Sequence, residues 1–504
     1  MPLMLDVLLL NPGNHAETYQ GLHGVYTACE PPIWAGMFAT FLRRRDVSVE
    51  ILDATALRLG FADTAGRALE AKPRLICLVA YGQQPSASTL VMPGARAICR
   101  EIKNLRPEMP ILLAGGHVAA LPERTLREEP VDFVCDGEGP YTLLDLALAM
   151  RHKNPDFSKV RGLMYFDSDK RLRRTPPAPI VTNLDNEMPA VAWDLLPMER
   201  YTAHNWHCFG ELGSRRPYAS LYTSLGCPFN CHFCCIQAPF RAGEKAIDKS
   251  AGHSYRLWSA SSVLTQIDVL VNTYGIRHLK FADELFVYDK EHVRGICEGI
   301  IARGYDLNIW AYVRVDTWGA EQLDMMRRAG IRWLCPGIES GNARVRKDVN
   351  KAFSQEKARA GIAAFKAAGI YTIGNFLFGL PEDDMCSMRE TLDFAKDLRC
   401  EFVNMYCAMA YPGSKLYERA LTENLPLPES WNGYSQHAYD TLPLPTKHLA
   451  GPEVLAFRDA AFHEYFSNGI YLAMLESQFG QETRIHVEEM TNIRLQRKYV
   501  PRSA

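Results

Sequence analysis

The chain has 504 residues, of which 56 are Lys or Arg and 58 are Asp or Glu, leaving a formal net charge of −2. At ~150 residues per domain this length suits three units, and the balanced charge argues against a nucleic-acid partner or a polybasic membrane-surface protein. With 47% hydrophobic and 23% charged residues, each unit can bury an ordinary core, which excludes a disordered or collagen-like chain.

The opening run of the chain is apolar, but it carries Asp6 and contains no Lys or Arg before Arg43, unlike a signal peptide. Elsewhere no uncharged apolar stretch approaches the ~18 residues of a spanning helix, so a soluble, cytoplasmic protein with no membrane span is expected. From residue 1 to 150 short apolar runs alternate with helical periods. Strands are predicted at 7–10, 48–52, 75–79, 111–114 and 132–135, and helices at 34–45, 88–105 and 141–151. This is the pattern of a doubly wound parallel α/β sheet. Polar or glycine-rich segments follow the strand ends at 11–14, 81–89, 115–117 and 136–139, where open α/β sheets bind ligands. No G-x-G-x-x-G stands after the first strand, which disfavours a dinucleotide.

Residues 151–215 are rich in proline, with one hairpin expected around 162–175, and read as a linker. The alternation then resumes. Strands are predicted near 218–223, 278–281, 309–315, 333–338, 371–378 and 402–409, with helices at 261–274, 290–302, 319–329, 355–368 and 388–398. Six strands and five helices are too few for an eight-fold barrel and predict a partial (β/α)6 barrel over 216–410 with its site at the carboxyl face. Residues 411–504 read as a mainly helical cap.

Fourteen cysteines are scattered through the chain, many inside apolar strands where a reduced thiol behaves as a small hydrophobe. A disulfide scaffold is unexpected in so large a core-rich chain. One group differs: Cys227, Cys231 and Cys234 follow the first barrel strand with Cys-x3-Cys-x2-Cys spacing. Three thiolates so placed reach three corners of a cubane 4Fe-4S cluster and leave one iron open for chemistry. A zinc knuckle completed by His232 or Cys235 is the competing reading, although structural zinc sites gather Cys pairs from two places and the chain offers no second pair.

These cysteines, with Phe233 before the last, resemble the signature of radical S-adenosylmethionine (SAM) enzymes. The resemblance implies that the open iron holds the amino and carboxylate groups of SAM, which one electron then cleaves to methionine and a 5′-deoxyadenosyl radical. By the same resemblance Phe233, Asp283, Glu284, Arg314, Glu339, Ser340, Gly374 and Asn375 stand where the family contacts SAM. Asp283 and Glu284 replace the family's usual Gly-Gly-Glu, and Arg314 suits a carboxylate because its fork binds both oxygens.

A first α/β domain before such a barrel resembles the cobalamin-binding radical SAM subfamily. That resemblance implies a corrin held by Asn11, Gln84, Ser86, Ser88, Thr89, Gly115, Gly116, His117, Gly137 and Glu138. Small residues and hydroxyls suit a buried nucleotide tail, whose phosphate and ribose need hydrogen bonds. No Asp-x-His-x-x-Gly is present; the nearest approach, Asp289 to Gly295 with His292, has the wrong spacing. Cobalamin without a histidine below cobalt is therefore expected, with His117 capping a helix or bonding the corrin periphery. Cys335 and Cys407 are expected to face the barrel interior. Three C-terminal clusters, at 411–414, 431–437 and 457–462, are candidates either for pocket lining or for packing against the barrel.

The expectation is a cobalamin-dependent radical SAM methyltransferase acting on an unactivated carbon of a small-molecule or glycan-type substrate. One SAM would methylate the corrin and a second would supply the radical. A non-methylating rearrangement, cyclisation or oxidation is the alternative, and a non-catalytic iron–sulfur and corrin sensor a third. The expected partners are a small substrate and an external one-electron donor such as flavodoxin or ferredoxin, with the chain a monomer.

Overall fold

The computed structural model describes residues 4–13, 18–22, 24–240 and 254–500. Asn14, the last residue of the first strand-end segment, lies outside them. The first sheet contains β1 (Val7–Asn11), β2 (Val49–Asp53), β3 (Leu75–Val79), β4 (Ile111–Ala114) and β5 (Phe133–Cys135), followed by β6 (Leu163–Phe166) and β7 (Leu172–Arg174). Their order is β2-β1-β3-β4-β5-β6-β7. Pairing is parallel from β2 through β5, and β5-β6-β7 is antiparallel. Every residue of β1, β3, β4 and β5 is buried, as expected for strands covered on both faces, which read as continuous apolar runs. The predicted hairpin thus forms, but as an edge extension of this sheet rather than free linker, so the sheet runs past residue 150 to Arg174.

The second sheet is built from β8 (Tyr218–Leu221), β11 (His278–Phe281), β12 (Asn308–Arg314), β13 (Ile331–Glu339), β14 (Tyr371–Phe378) and β15 (Phe402–Cys407). A small ribbon of β9 (Ser224–Leu225) with β10 (Arg256–Leu257) sits beside it. The sheet order is β15-β14-β13-β12-β11-β8, all parallel, the six-stranded partial barrel the spacing predicts. Crossover helices start and stop where local chemistry directs. The Ser259 side chain accepts from Ser262 N ahead of the helix Ala260–Tyr274, and Gly275 ends it at φ 63°. Asp289 caps the helix Lys290–Arg303 by accepting from His292 N, and Gly304 closes it at φ 65°. Such caps satisfy the end amides that a helix leaves unpaired.

The helices Gly451–Phe466, Gly469–Phe479 and Gln481–Asn492 form the C-terminal region. No helix among the described residues is long and apolar enough to cross a membrane. Between the sheets, residues 175–215 bind both. Tyr201 donates its hydroxyl proton to Asp53 at 2.9 Å, and Trp206 packs edge-on against Trp310 at 5.1 Å.

Candidate active site

Cys227, Cys231 and Cys234 lie on the loop after β9, all partly exposed. The Cys234 amide bonds Cys231 O at 3.1 Å, and the Gln237 side chain donates to Cys227 O at 2.7 Å, so one backbone and one side-chain bond fold the loop back on itself. Burial pushes the Cys227 thiol up to about 11 and raises Cys231 and Cys234. Two cations offset this at Cys231: Lys351 and Arg314, the latter with Nη1 3.9 Å from the sulfur. Thiols in a half-buried, cation-flanked loop suit iron, whose charge removes their protons on binding. Cys235 is buried beside them.

The acids after β11 divide by role. Asp283 is fully buried and accepts from Thr223 N at 3.1 Å, Thr223 Oγ1 at 2.8 Å and the Ser224 hydroxyl, so both its oxygens are spent on the β8–β9 turn. His292 Nε2 stands 2.9 Å from the same Thr223 hydroxyl, and Asp289 caps the helix that carries His292. Glu284 is different. Its Oε2 is buried without a hydrogen-bond partner, and burial lifts its carboxyl to about 8, with Asp283 adding repulsion. An orphaned acceptor beside the cysteine loop fits a ligand ammonium, which supplies the missing donors.

Arg314, at the end of β12, holds Asp316 through two bonds of 3.0 Å and lies over the Phe229 ring at 4.0 Å. Glu339 ends β13 at φ 65° and is ion-paired with Lys351, whose ammonium is 5.7 Å from the Phe233 ring centre. Ser340 Oγ lies 3.1 Å from Thr391 Oγ1 and accepts from Asn342 N, so it shapes the strand-end turn. A Cβ at Gly374 would come within 2.7 Å of the Phe376 ring, so only glycine fits. Asn375 Nδ2 is 3.0 Å from Cys335 Sγ, and Asn404 donates to Asn375 Oδ1 at 2.9 Å. Cys335 therefore faces the barrel interior, as expected. Cys407 does not: in β15 the inward positions are Asn404 and Tyr406, and a strand alternates faces at each residue. Its charged neighbours are Arg458 and Asp459, on the helix Gly451–Phe466.

In the first domain Asn11 donates to Asp53 at 2.8 Å, well spent on the β1–β2 seam. Ser88 donates to Ala80 O and accepts the His117 amide at 2.8 Å. Thr89 Oγ1 lies 3.1 Å from His117 Nδ1, and the ring packs edge-on against Trp431 at 4.4 Å. Burial lowers His117 to about 3, keeping it neutral. The ring caps no helix, for its polar contact is Thr89. Gly115 would place a Cβ 2.1 Å from Ala80 O, so β3 and β4 can approach only with glycine there. Gly137 turns at φ 148°. The Glu138 carboxylate is consumed between units: Oε2 accepts Val181 N at 2.7 Å and Oε1 accepts Arg256 at 2.8 Å. Ser86 O receives Thr89 N, while Gln84 stays exposed.

One cleft joins the two sets. Gln84, Pro85, Ser88 and Gly116 line one narrow gap with Gly226, Cys235 and Glu284, with a volume of about 20 Å³ and walls of aromatic rings. Trp34 and Tyr81 stack at 4.0 Å on one side, with Tyr222 edge-on at 6.3 Å. Sequence reasoning missed Lys351, Trp34 and Tyr222 and gave Tyr81 only as the start of the strand-end segment 81–89; an aromatic residue after a strand end was the available signal for Tyr222, and nothing local marked Lys351. Of the C-terminal clusters, Trp431 covers His117, Tyr411 bonds Tyr434 O at 3.1 Å, and Phe457 packs on Phe378 at 5.3 Å. Packing is what these contacts do.

Two family models match the chain: the B12 binding domain over residues 19–147 and the radical SAM superfamily over 221–395. The chain is a cobalamin-binding radical SAM enzyme. This radical SAM enzyme is 29% identical to an uncharacterized methyltransferase of Pyrococcus horikoshii, over 86% of its own length and 87% of the relative. It is 25% identical to the anaerobic magnesium-protoporphyrin IX monomethyl ester cyclase of Rubrivivax gelatinosus, over 82% and 70% of the two chains. Its fold matches that of the radical SAM methyltransferase TsrM from Kitasatospora setae, solved with cobalamin and a [4Fe-4S] cluster, with a TM-score of 0.68 at 16% identity over 97% and 99% of the two chains.

Proposed function

We propose that this radical SAM enzyme is a cobalamin-dependent methyltransferase that methylates an unactivated carbon of a small-molecule or glycan-type substrate. The supporting observation is the shared cleft, where the corrin-side residues Gln84, Ser88 and Gly116 stand opposite Cys235 and Glu284 of the cluster side. Cys227, Cys231 and Cys234 hold the 4Fe-4S cluster, and Glu284 and Arg314 receive the ammonium and carboxylate of SAM. The bound groups supply a deoxyadenosyl radical and a transferable methyl group. The chain's part is placement and exclusion of water: Trp34, Tyr81 and Tyr222 wall the cleft so that a radical meets only its substrate. Tyr312, Asn375, Asn404 and Tyr406 point into the half-barrel and are partly exposed there, so they form the substrate-facing wall.

A cobalamin bound here would have no histidine ligand of the Asp-x-His-x-x-Gly kind, a motif the sequence lacks. The electron donor is a flavodoxin or ferredoxin, and the enzyme acts in the cytoplasm as a monomer. Anaerobic protein reconstituted with iron, sulfide and hydroxocobalamin, then reduced and given SAM, should yield both S-adenosylhomocysteine and 5′-deoxyadenosine. Deoxyadenosine alone would end the methyl-transfer reading in favour of a rearrangement, cyclisation or oxidation; the similarity to a cyclase supports that second reading. The absence of both products would leave only the sensor.

A further inference from the structure

Lys280, in β11, points into the half-barrel with its side chain only 3% exposed, and meets Glu30, 4% exposed, at 3.0 Å. Its ammonium has three acceptors: Glu30 Oε2 at 3.0 Å, Glu30 Oε1 at 3.3 Å and the backbone oxygen of Gln83 at 3.3 Å. Trp310 covers it, with the ring centre 4.8 Å away. On the other side His204 Nε2 lies 3.5 Å from Glu30 Oε1, and the Gln83 side chain donates to Glu30 O at 3.5 Å. Glu30 and Gln83 belong to the first domain and Lys280 to the barrel. With three donors filled, Lys280 has none to offer a ligand.

Gln83 directly precedes Gln84 and Pro85, which line the cleft facing the cysteine loop. We propose that Lys280 is a positioning residue that pins the corrin-side loop 82–86 to the barrel, fixing how far a bound cobalamin stands from the cluster. The proposal rests on the cobalamin site described above and not on methyl transfer. Desolvating two charges offsets most of their attraction, so replacing such a pair by neutral side chains of similar size leaves stability nearly unchanged. The net effect of the triad is therefore geometric: the barrel holds a loop of the other domain by its backbone.

The test compares wild-type protein with the double variant Glu30→Gln/Lys280→Met, in which neither charge is left buried alone. Hydroxocobalamin is titrated spectrophotometrically, iron is counted per reconstituted chain, and S-adenosylhomocysteine formed per deoxyadenosine is measured with SAM. Loss of one hydrogen bond to a charged group predicts a dissociation constant for hydroxocobalamin about tenfold higher, a lower product ratio and unchanged iron. Binding within about twofold of wild type would overturn the proposal. So would a variant that fails to fold or loses its iron, since either result makes the triad a general support of the core. Wild-type protein that forms deoxyadenosine without homocysteine product would defeat the methyltransferase reading while leaving the hydroxocobalamin comparison decisive.

Discussion

Replacing Glu138 by Ala should loosen the seam between the first sheet and the barrel more than any other single carboxylate change at the cleft. The Glu138 side chain is 1% exposed and Arg256 9%, and the carboxylate also takes the Val181 amide at 2.7 Å. Removing it leaves a buried guanidinium with the backbone oxygens of Ser254 and Val181 as acceptors but no opposite charge, and leaves the Val181 amide unpaired. A hydrogen bond to a charged group contributes about 1.5–3 kcal/mol and an orphaned buried donor costs about 1–3 kcal/mol. Together these reach roughly 3–5 kcal/mol, the range for breaking one side of a buried pair. For domains of this size each kcal/mol moves Tm by about 2–4 °C, so the first transition in an anaerobic melt should fall by roughly 6–20 °C. Glu138→Ala/Arg256→Met removes both charges, and its loss should be smaller than that of Glu138→Ala alone. A single variant melting within about 1 °C of wild type, or a double variant whose loss is the sum of the two singles, would refute the reasoning.

Three further outcomes are expected. Cys227→Ala, Cys231→Ala and Cys234→Ala should each abolish the brown colour and the bound iron, whereas Cys235→Ala should keep both; full iron in any of the first three contradicts the ligand assignment. His117 is depressed by burial to about 3 from an unfolded value near 6.5, so its stabilising contribution is complete above ~6.5 and is lost as pH falls toward 3, at about 1.4 kcal/mol per pH unit. His117→Gln should accordingly lose about 2 kcal/mol less than wild type between pH 6.5 and 5, measured by denaturant titration, and parallel curves would contradict this. Arg314→Lys keeps the charge but loses the fork that anchors the side chain on Asp316 and leaves Nη1 toward the cysteine loop, so KM for SAM should rise about tenfold; an unchanged KM removes Arg314 from the SAM site.

Much of the fold was legible because most strands of the first sheet are continuous apolar runs, as in doubly covered parallel sheets, and because strands and helices alternate regularly through the barrel. Strands 75–79, 111–114, 278–281 and 371–378 match residue for residue. The hairpin near 162–175 was legible too, yet its partner was not: local turn chemistry specifies a hairpin, and only tertiary contact decides that it pairs with β5. The cysteine loop was readable from spacing alone. Asp283 and Glu284 were not separable, because which neighbouring acid is consumed depends on Thr223 and Ser224, some 60 residues earlier in the chain. Cys407 illustrates the same limit from geometry, since a shift of one residue in a strand exchanges its faces. Lys351 and Glu30 act through partners that no local pattern names. Glu138 stood at the right strand end, but its carboxylate serves the seam between units.

The segment 175–215 ties the two sheets through its residues 201–207. Tyr201 reaches Asp53 under the first sheet, Cys29 and Thr202 exchange backbone bonds, and Trp206 and His207 enter the barrel wall against Trp310 and Asn308. A chimaera that swaps the barrel for a relative's at residue 150 or at residue 216 cuts through one of these attachments. Recombination among such proteins is therefore constrained: a functional exchange must carry the whole strap with matched residues on both sides, so the corrin holder and the radical barrel are inherited as one block.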